Sequence, residues 1–430
     1  MTQAPTRARL MPGTLIGYCL LVASSVTHAA GFAIIEQSVS GLGNAFAGTA
    51  ASAEDASTVY FNPAGMTFLS KREALLGLHI IKPSAKFTDS GSTVPSGGNG
   101  GDGGVTALVP NFYYVMNLDA DTKFGLGINA PFGLSTQYDK DWLGRYQAIE
   151  SSMRTVNINP SLAFKVGNAI SIGLGFNVQY IQAKLTSALD LSSVGSSEDG
   201  FSDISGHGWG MGYNLGMIYS PSADTRVGLA YRSKINQSLG GTADFTLPAA
   251  AVSAYPPLAY RFADTDASVN VTLPDTMALS VYQRLNNQWA MLADITRTGW
   301  SSFDKLTVEF DNPYNPPSTE SNQWNDSNRY SLGVNFNPEG NWTYRAGTAY
   351  DQTPIPNAEM RTARIPDADR IWLAIGAGYQ RSKDFRLEIA YAHIFVKAAD
   401  INRTGLSGDV LTGRFDNKID ILSAQASWQF

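Results

Sequence analysis

The side chains best suited to catalysis are few and widely spaced. Beyond His28, histidines stand at positions 79, 207 and 393, and no Gly-x-Ser-x-Gly motif presents a serine. A hydrolase would need a serine brought to His207 or His393, and neither histidine lies in a matching motif. The same spacing disfavours a metal site, and we expect no cofactor. The sequence therefore predicts a protein that is not an enzyme.

Two glycine-rich stretches do not match nucleotide-binding loops. SGGNGGDGG, from Ser96 to Gly104, lacks the lysine and the following helix of a phosphate loop. GLGNAFAG lacks the third glycine of the dinucleotide fingerprint, and no strand precedes it. Nucleic acid is disfavoured as a partner as well, because 31 basic residues face 37 acidic ones and form no basic cluster.

The first thirty residues differ in composition from the rest. Arg7 and Arg9 precede the apolar run LMPGTLIGYCLLVASSV, and small residues follow it. This order predicts a secretory signal peptide, residues 1–29, with cleavage after residue 29 or 30. A membrane anchor is the alternative, disfavoured because the run is short and contains Pro12 and Gly13. Cys19 is the only cysteine and lies in this run, so the mature chain has no disulfide.

Period-two alternation predicts long strands after the signal. Ile172, Leu174 and Phe176 share one face, while Gly173 and Gly175 lie on the other. The alternation continues over nine or more residues, the length that a strand needs to cross a membrane. No run of eighteen apolar residues follows the signal, which excludes a helical membrane protein.

Short and long connections between these strands alternate along the chain. Tight turns lie near positions 117, 165, 220, 285, 337 and 381, and long loops lie near 88–104, 132–152, 187–205, 237–267, 311–327, 352–368 and 397–418. Fourteen strands result if 287–310 is one strand. An even strand number with short turns on one side is typical of outer-membrane barrels. We therefore predict an all-β fold, a 14-stranded antiparallel outer-membrane β-barrel of residues 73–430.

The segment between the signal and the first strand, residues 30–72, shows no period-two pattern. It is rich in Gly, Ala and Ser, and irregular backbone of this kind has no hydrogen-bond partners in lipid. Fourteen strands enclose a wide lumen. The segment is therefore predicted to fill that lumen as a plug, or hatch, and the rigid Asn62-Pro63 turn is predicted to lead from it into the first strand.

This segment resembles the N-terminal hatch of the FadL-type transporters of long-chain fatty acids, a family that includes relatives importing aromatic and aliphatic hydrocarbons. The similarity is carried by GF at the mature start, SGLG, the acidic pair Glu54-Asp55 and Asn62-Pro63-Ala64. A second similar segment is RIPDADRIWLAIGAGY, Arg364 to Tyr379. The resemblance implies passive transport. Ligand would adsorb to an extracellular apolar groove, enter an internal pocket, and leave sideways through the barrel wall at an inward strand kink.

The resemblance also implies which residues serve this path. In the hatch, Phe32 would reach the internal pocket, and Asn62, Pro63 and Ala64 would form the hatch turn. Asp367, Asp369 and Arg370 would face the lumen near the hatch, where an acidic side chain would hold Asn62. The alternatives are a disordered terminus for Phe32, structural anchoring alone for the hatch turn, and a solvated loop end for the residues at 367–370.

Two further groups of residues are candidates for ligand contacts. The cations that would meet a ligand carboxylate are Arg145, Arg154 and Lys305, with ordinary rim charges as the alternative. An extracellular apolar surface is predicted from one loop, with mutual packing of the loops as the alternative. Its residues are Phe132, Leu134, Trp142, Leu143 and Tyr146. The loop at 247–262 is similarly apolar and is predicted to form a short helix and a Pro turn.

Transport of long-chain fatty acids across the outer membrane of a Gram-negative bacterium is the predicted function. Uptake of aromatic or aliphatic hydrocarbons and a general porin are the alternatives; the plug argues against the porin. Expected partners are the hydrophobic ligand, outer-membrane lipid with lipopolysaccharide, and the barrel-assembly machinery, because the chain ends on an apolar strand with a terminal Phe. A monomer is expected.

Overall fold

The computed structural model describes residues 31–430. The predicted signal peptide lies outside these residues. Within them, no helix has the length and apolar character needed to span a membrane.

The structure of residues 31–430 is built mainly of β-strands. The strands are β1 (Glu73–Asp89), β2 (Ala107–Asn117), β3 (Thr122–Asn129), β4 (Gly133–Gln137), β5 (Glu150–Val166), β6 (Ile170–Leu189), β7 (Gly200–Tyr219), β8 (Thr225–Arg232), β9 (Ile235–Thr246), β10 (Thr265–Leu273), β11 (Thr276–Arg284), β12 (Trp289–Thr298), β13 (Lys305–Phe310), β14 (Ser318–Ser321), β15 (Ser327–Phe336), β16 (Trp342–Asp351), β17 (Arg370–Ser382), β18 (Phe385–Val396), β19 (Ala399–Thr404) and β20 (Val410–Gln429).

These segments form one closed antiparallel barrel. Six barrel strands are each interrupted once, giving the pairs β3/β4, β8/β9, β10/β11, β12/β13, β14/β15 and β18/β19, so the twenty segments make fourteen strands. β1 pairs with β20 from Glu73↔Gln429 to Asp89↔Gly413, which closes the cylinder. The predicted strand number is confirmed, although the strand predicted at 287–310 is interrupted by the short 3₁₀ helix Trp300–Ser302.

Side-chain alternation follows from a wall with lipid outside and protein inside. On β6, Leu174 and Phe176 are each 48% exposed on the outer face, whereas Gln179 and Asn177 are buried on the inner face. Aromatic side chains mark the end of the barrel with the short turns, where Trp289, Trp342 and Trp428 are exposed near strand ends. Aromatic girdles of this kind lie at membrane interfaces.

The hatch consists of short helical turns that pack against the inner wall. Its elements are α1 (Val39–Gly43), α2 (Thr49–Ser52), α3 (Thr58–Phe61) and the 3₁₀ helix Pro63–Phe68; α4 (Ala249–Ala254), α5 (Pro257–Arg261) and the 3₁₀ helix Ser192–Val194 belong to loops. Leu42 and Phe46 pack into one core cluster with Trp372 of β17 and Ile421 of β20.

Close approach between hatch and wall requires glycine on the wall strands. A Cβ added at Gly228 of β8 would lie 1.9 Å from the Ala50 carbonyl oxygen, and one at Gly216 of β7 would lie 1.9 Å from Asn62 Oδ1. Contacts this short are impossible, so a side chain at either position must displace the hatch. The small residues of the hatch and the glycines of the wall therefore form one complementary surface.

The variant Gly228→Val is expected to displace the hatch and let small polar solutes through the barrel. The matched control is Gly240→Val, because an added Cβ at Gly240 of β9 meets no atom of the described chain within 4 Å. Swelling of liposomes in arabinose measures the leak. We expect rapid swelling with Gly228→Val and none with the wild type or Gly240→Val. Equal swelling rates for all three proteins would contradict this packing.

Candidate functional site

An apolar cavity lies inside the extracellular half of the barrel. Its walls enclose about 920 Å³ of space, including the part open to solvent. Aliphatic side chains from the inner faces of several strands line it, among them Met153, Ile181, Leu239 and Val269. We call it the upper cavity. Its size falls within the range typical of small-molecule pockets, and its apolar walls suit a hydrocarbon chain.

Phe32 of the hatch closes the lower end of the upper cavity. The ring is 5% exposed and lies at the centre of an aromatic cluster. Its centroid is 4.7 Å from that of Trp300, 5.2 Å from Phe303, 5.8 Å from Trp324 and 6.1 Å from Phe132. The hatch is therefore placed so that a movement of its first residues would change the floor of the cavity.

The strand formed by β3 and β4 is interrupted at residues 130–132, which contact the hatch and which we call the kink. β2 pairs with β3 from Phe112↔Ile128 to Asn117↔Lys123, but its first residues, 107–111, have no ladder partner on that side within residues 31–430. The hatch pairs with the kink instead. The Ile34 N–H donates to the Pro131 carbonyl (2.8 Å), the Gly133 N–H donates to the Phe32 carbonyl (3.0 Å), and Ala33 bridges Phe132. The wall therefore has a gap, and the start of the hatch covers it from inside.

Asp367 holds the first described residue of the hatch. Its Oδ2 accepts from the Gly31 N–H (3.1 Å) and from the Thr353 hydroxyl (2.8 Å). Its Oδ1 accepts from Arg370 Nη2 at 2.5 Å, and Arg370 also donates to the Gly31 carbonyl at 3.5 Å. Asp369 accepts from the Thr353 N–H and the Tyr350 hydroxyl. The Asp367 carboxylate thus accepts from the Gly31 N–H, and the Arg370 guanidinium donates to the Gly31 carbonyl.

Asn62 anchors the other end of the hatch. It is completely buried, and its Nδ2 donates to the carbonyls of Ala50 (2.6 Å), Met217 (3.1 Å) and Leu229 (3.4 Å). Its Oδ1 accepts from the Ala64 N–H, and Pro63 begins the 3₁₀ helix. The amide therefore ties the hatch turn to β7 and β8. The expectation that an acidic side chain would hold Asn62 is wrong, because the Asn62 Nδ2 donates its hydrogen bonds to these backbone carbonyls.

One guanidinium, that of Arg364, lines the upper cavity. Its Nη1 donates to Ser151 Oγ at 2.9 Å, while its Nε lies 3.9 Å from Glu320. Burial lowers the pKa of Arg364 from its ordinary value, and the Glu320 carboxylate opposes that shift. Since a nearby anion favours the charged form of a buried guanidinium, a ligand carboxylate beside Arg364 would be stabilised there.

Comparison with known proteins places this architecture in a family. Residues 20–430 match the model described as outer membrane protein transport protein (OMPP1/FadL/TodX). The chain belongs to this family. It is 29% identical over 423 residues to the long-chain fatty acid transport protein of Escherichia coli K12, covering 91% of this chain and 94% of that one. It is 30% identical over 439 residues to outer membrane protein P1 of Haemophilus influenzae Rd, covering 92% of each.

Solved structures of FadL/TodX proteins share the fold. A Pseudomonas aeruginosa FadL homologue superposes with a TM-score of 0.87 at 27% identity, over 93% of this chain and 100% of that one. The Pseudomonas putida toluene transporter TodX superposes with a TM-score of 0.68 at 18% identity, over 95% and 100% of the two chains. This FadL/TodX protein is therefore an outer-membrane transporter of hydrophobic compounds in a Gram-negative bacterium, and not an enzyme.

The three cations predicted to meet a carboxylate lie elsewhere in this FadL/TodX protein. Arg154 and Lys305 are exposed, because they alternate with the inward residues Met153 and Leu306 that line the upper cavity. Arg145 is committed to loop contacts, with its Nε 2.7 Å from Asp199. The prediction is therefore wrong for all three. Arg364, the cation that does line the cavity, lies within the RIPDADR segment noted for its resemblance, and that segment was the available signal.

The apolar surface predicted for the loop at 132–152 is also wrong, and mutual packing of the loops replaces it. Trp142 is completely buried and stacks on Tyr138 with ring centroids 4.2 Å apart. Leu143 packs against the same core cluster, and the Tyr146 hydroxyl donates to Asp199. Phe132 and Leu134 contribute to the packing around Phe32.

The helix and Pro turn predicted for the loop at 247–262 are confirmed by α4 and α5. Tyr260 of α5 is 67% exposed.

Proposed function

We propose that this protein imports long-chain fatty acids passively. The observation that carries the proposal is a guanidinium, Arg364, in the wall of a largely aliphatic cavity whose other charged lining group, Glu320, lies 3.9 Å from the Arg364 Nε. A fatty acid has one charged end and a long apolar chain, and this cavity offers one partner for each. Each buried CH₂ group contributes about 0.8 kcal/mol, so transfer of the chain from water into the cavity is strongly favourable.

The proposed exit is the gap between β2 and the kink. Phe32, Ala33 and Ile34 cover this gap through two backbone hydrogen bonds. Displacement of these residues by ligand would uncover the gap and connect the upper cavity with the membrane. An apolar ligand gains free energy by leaving into lipid, so no energy source is required. The name of the Escherichia coli relative, long-chain fatty acid transport protein, supports the same substrate class.

Uptake of labelled oleate and labelled toluene by cells lacking their own transporter tests the proposal. We expect expression of the wild-type protein to accelerate oleate uptake more than about tenfold, because the lipopolysaccharide leaflet otherwise excludes such molecules, and to have a smaller effect on toluene. A variant whose hatch is locked in place, described below, serves as the negative control. Acceleration of toluene uptake without any effect on oleate would replace fatty acids by hydrocarbons as the substrate.

A further inference from the structure

A second cavity lies on the other side of the aromatic cluster, nearer the short turns. It encloses about 1000 Å³ between the hatch and the barrel wall, including the part open to solvent, and we call it the lower cavity. The hatch residues that line it include the apolar Ala33, Ile35 and Phe61 and also Glu36. The wall strands contribute polar side chains beside apolar ones such as Leu215 and Ala278. Such a mixed lining suits an amphipathic molecule.

Unpartnered hydrogen-bond donors lie on the wall strands of the lower cavity. Arg329 of β15 is 5% exposed, and its Nη2 donates to the Ala45 carbonyl at 2.6 Å. Its Nε and Nη1 are buried without a hydrogen-bond partner in residues 31–430, as is Asn214 Nδ2, while Trp372 Nε1 lies beside the Asp351 carboxyl. All three side chains line the lower cavity. Because buried donors without acceptors are costly, this arrangement is suited to a group that brings acceptor oxygens.

The other charged groups of the lower cavity are Arg232, Arg370, Glu36 and Asp351. Arg370 is paired with Asp367, and Arg232 donates to Asn177 and to the Tyr60 carbonyl. Burial raises the pKa of Glu36 to about 7, so near physiological pH this hatch carboxyl is only partly ionised. Asp351 lies opposite Arg329 in the ladder between β15 and β16, but the Nε and Nη1 of Arg329 have no hydrogen-bond partner in residues 31–430 and can receive a further anion.

We propose that the lower cavity is a second binding site for the carboxylate of the transported ligand, which Arg329, Trp372 and Asn214 hold while the hydrocarbon chain packs on the hatch. The inference rests on the proposed function. The protein would then have two sites for the ligand carboxylate, one at Arg364 above the aromatic cluster and one at Arg329 below it. A ligand that passes Phe32 then exchanges one guanidinium for another.

Crystals of the full-length protein grown with 2-bromohexadecanoic acid test this proposal. The bromine lies on the carbon next to the carboxyl group, so its anomalous signal marks the head of the ligand. We expect one peak beside Arg364 and a second beside Arg329. Peaks confined to the upper cavity would overturn the inference and leave the proposed function standing. A lack of peaks in both cavities, with no oleate uptake by cells, would overturn both.

Variants separate the two sites. Arg329→Gln is expected to remove the lower bromine peak, retain the upper one and reduce oleate uptake about tenfold, as loss of hydrogen bonds from a charged donor predicts. Arabinose leak through this variant monitors the hatch, because Arg329 also donates to Ala45. Trp372→Phe keeps the ring and removes only one donor, so it is expected to weaken the lower peak without any leak. An unchanged lower peak in both variants would overturn the assignment.

Discussion

Oxidation of the double variant Ala33→Cys/Phe132→Cys is expected to abolish ligand uptake, and reduction is expected to restore it. Residues 33 and 132 form an antiparallel bridge between the hatch and the kink, flanked by the hydrogen bonds Ile34 N–H to Pro131 O and Gly133 N–H to Phe32 O. This flanking pattern defines a pair without mutual hydrogen bonds, in which the Cα atoms are about 4.5 Å apart. A disulfide fits that separation.

The disulfide would fix the start of the hatch across the gap in the wall. If ligand leaves between β2 and the kink, uptake in the oxidised state should fall more than about tenfold, because a closed gate prevents the step that releases the ligand. Cys19 is the only natural cysteine and lies in the predicted signal peptide, so the two introduced thiols have no competitor in the mature chain. Uptake of labelled oleate with and without dithiothreitol provides the measurement.

Each single-cysteine variant is the matched control for the change in side-chain volume. Phe132→Cys alone removes one ring of the aromatic cluster, so its uptake under oxidising conditions gives the baseline for the double variant. Mass spectrometry of the unreduced protein establishes that the bond has formed. Undiminished uptake by a fully oxidised double variant would place the exit away from the kink.

The sequence predicted the barrel well because its strands follow a local rule. Lipid outside and protein inside impose a period of two, so Leu174 and Phe176 of β6 identify the outer face without knowledge of any contact. The turns were predicted well for the same reason, since residues such as Asn337-Pro338 and Gly340 determine backbone conformation locally. The lack of a period-two pattern and the small-residue composition of residues 30–72 indicated the hatch, and the resemblance to FadL-type proteins added the importance of Phe32.

The ligand contacts were predicted poorly because they depend on which face of a strand carries each side chain and on tertiary packing. Arg154 stands between the inward residues Met153 and Thr155 of β5. An error of one residue in the predicted strand register therefore decides whether its charge is assigned to the cavity or to the outside. Trp142 is apolar in an extracellular loop, and sequence does not state whether such a ring meets ligand or a neighbouring loop. Arg364 lies in a long loop with no periodicity, so its one signal in the sequence is the resemblance of the RIPDADR segment, and the folding of that loop into the barrel mouth brings its side chain to the cavity.

Replacement of Arg364 by Gln is expected to reduce oleate uptake by about ten- to a hundredfold. A hydrogen bond between charged groups contributes about 1.5–3 kcal/mol, which corresponds to this range of affinity. Uptake of methyl oleate should be unchanged, because the ester carries no charge and has the same hydrocarbon chain. Parallel uptake assays with the two labelled ligands therefore measure the contribution of the charge alone.

Two further variants establish that the effect belongs to the cavity. Arg154→Gln is the matched control, since this exposed arginine on β5 loses the same charge outside the upper cavity. Arg364→Lys should recover part of the oleate uptake, because an ammonium group retains the charge but not the forked donor geometry. Arg364 also donates to Ser151, so a purely structural role would reduce uptake of oleate and methyl oleate equally. Equal losses would therefore show that Arg364 shapes the cavity wall and does not bind the carboxylate.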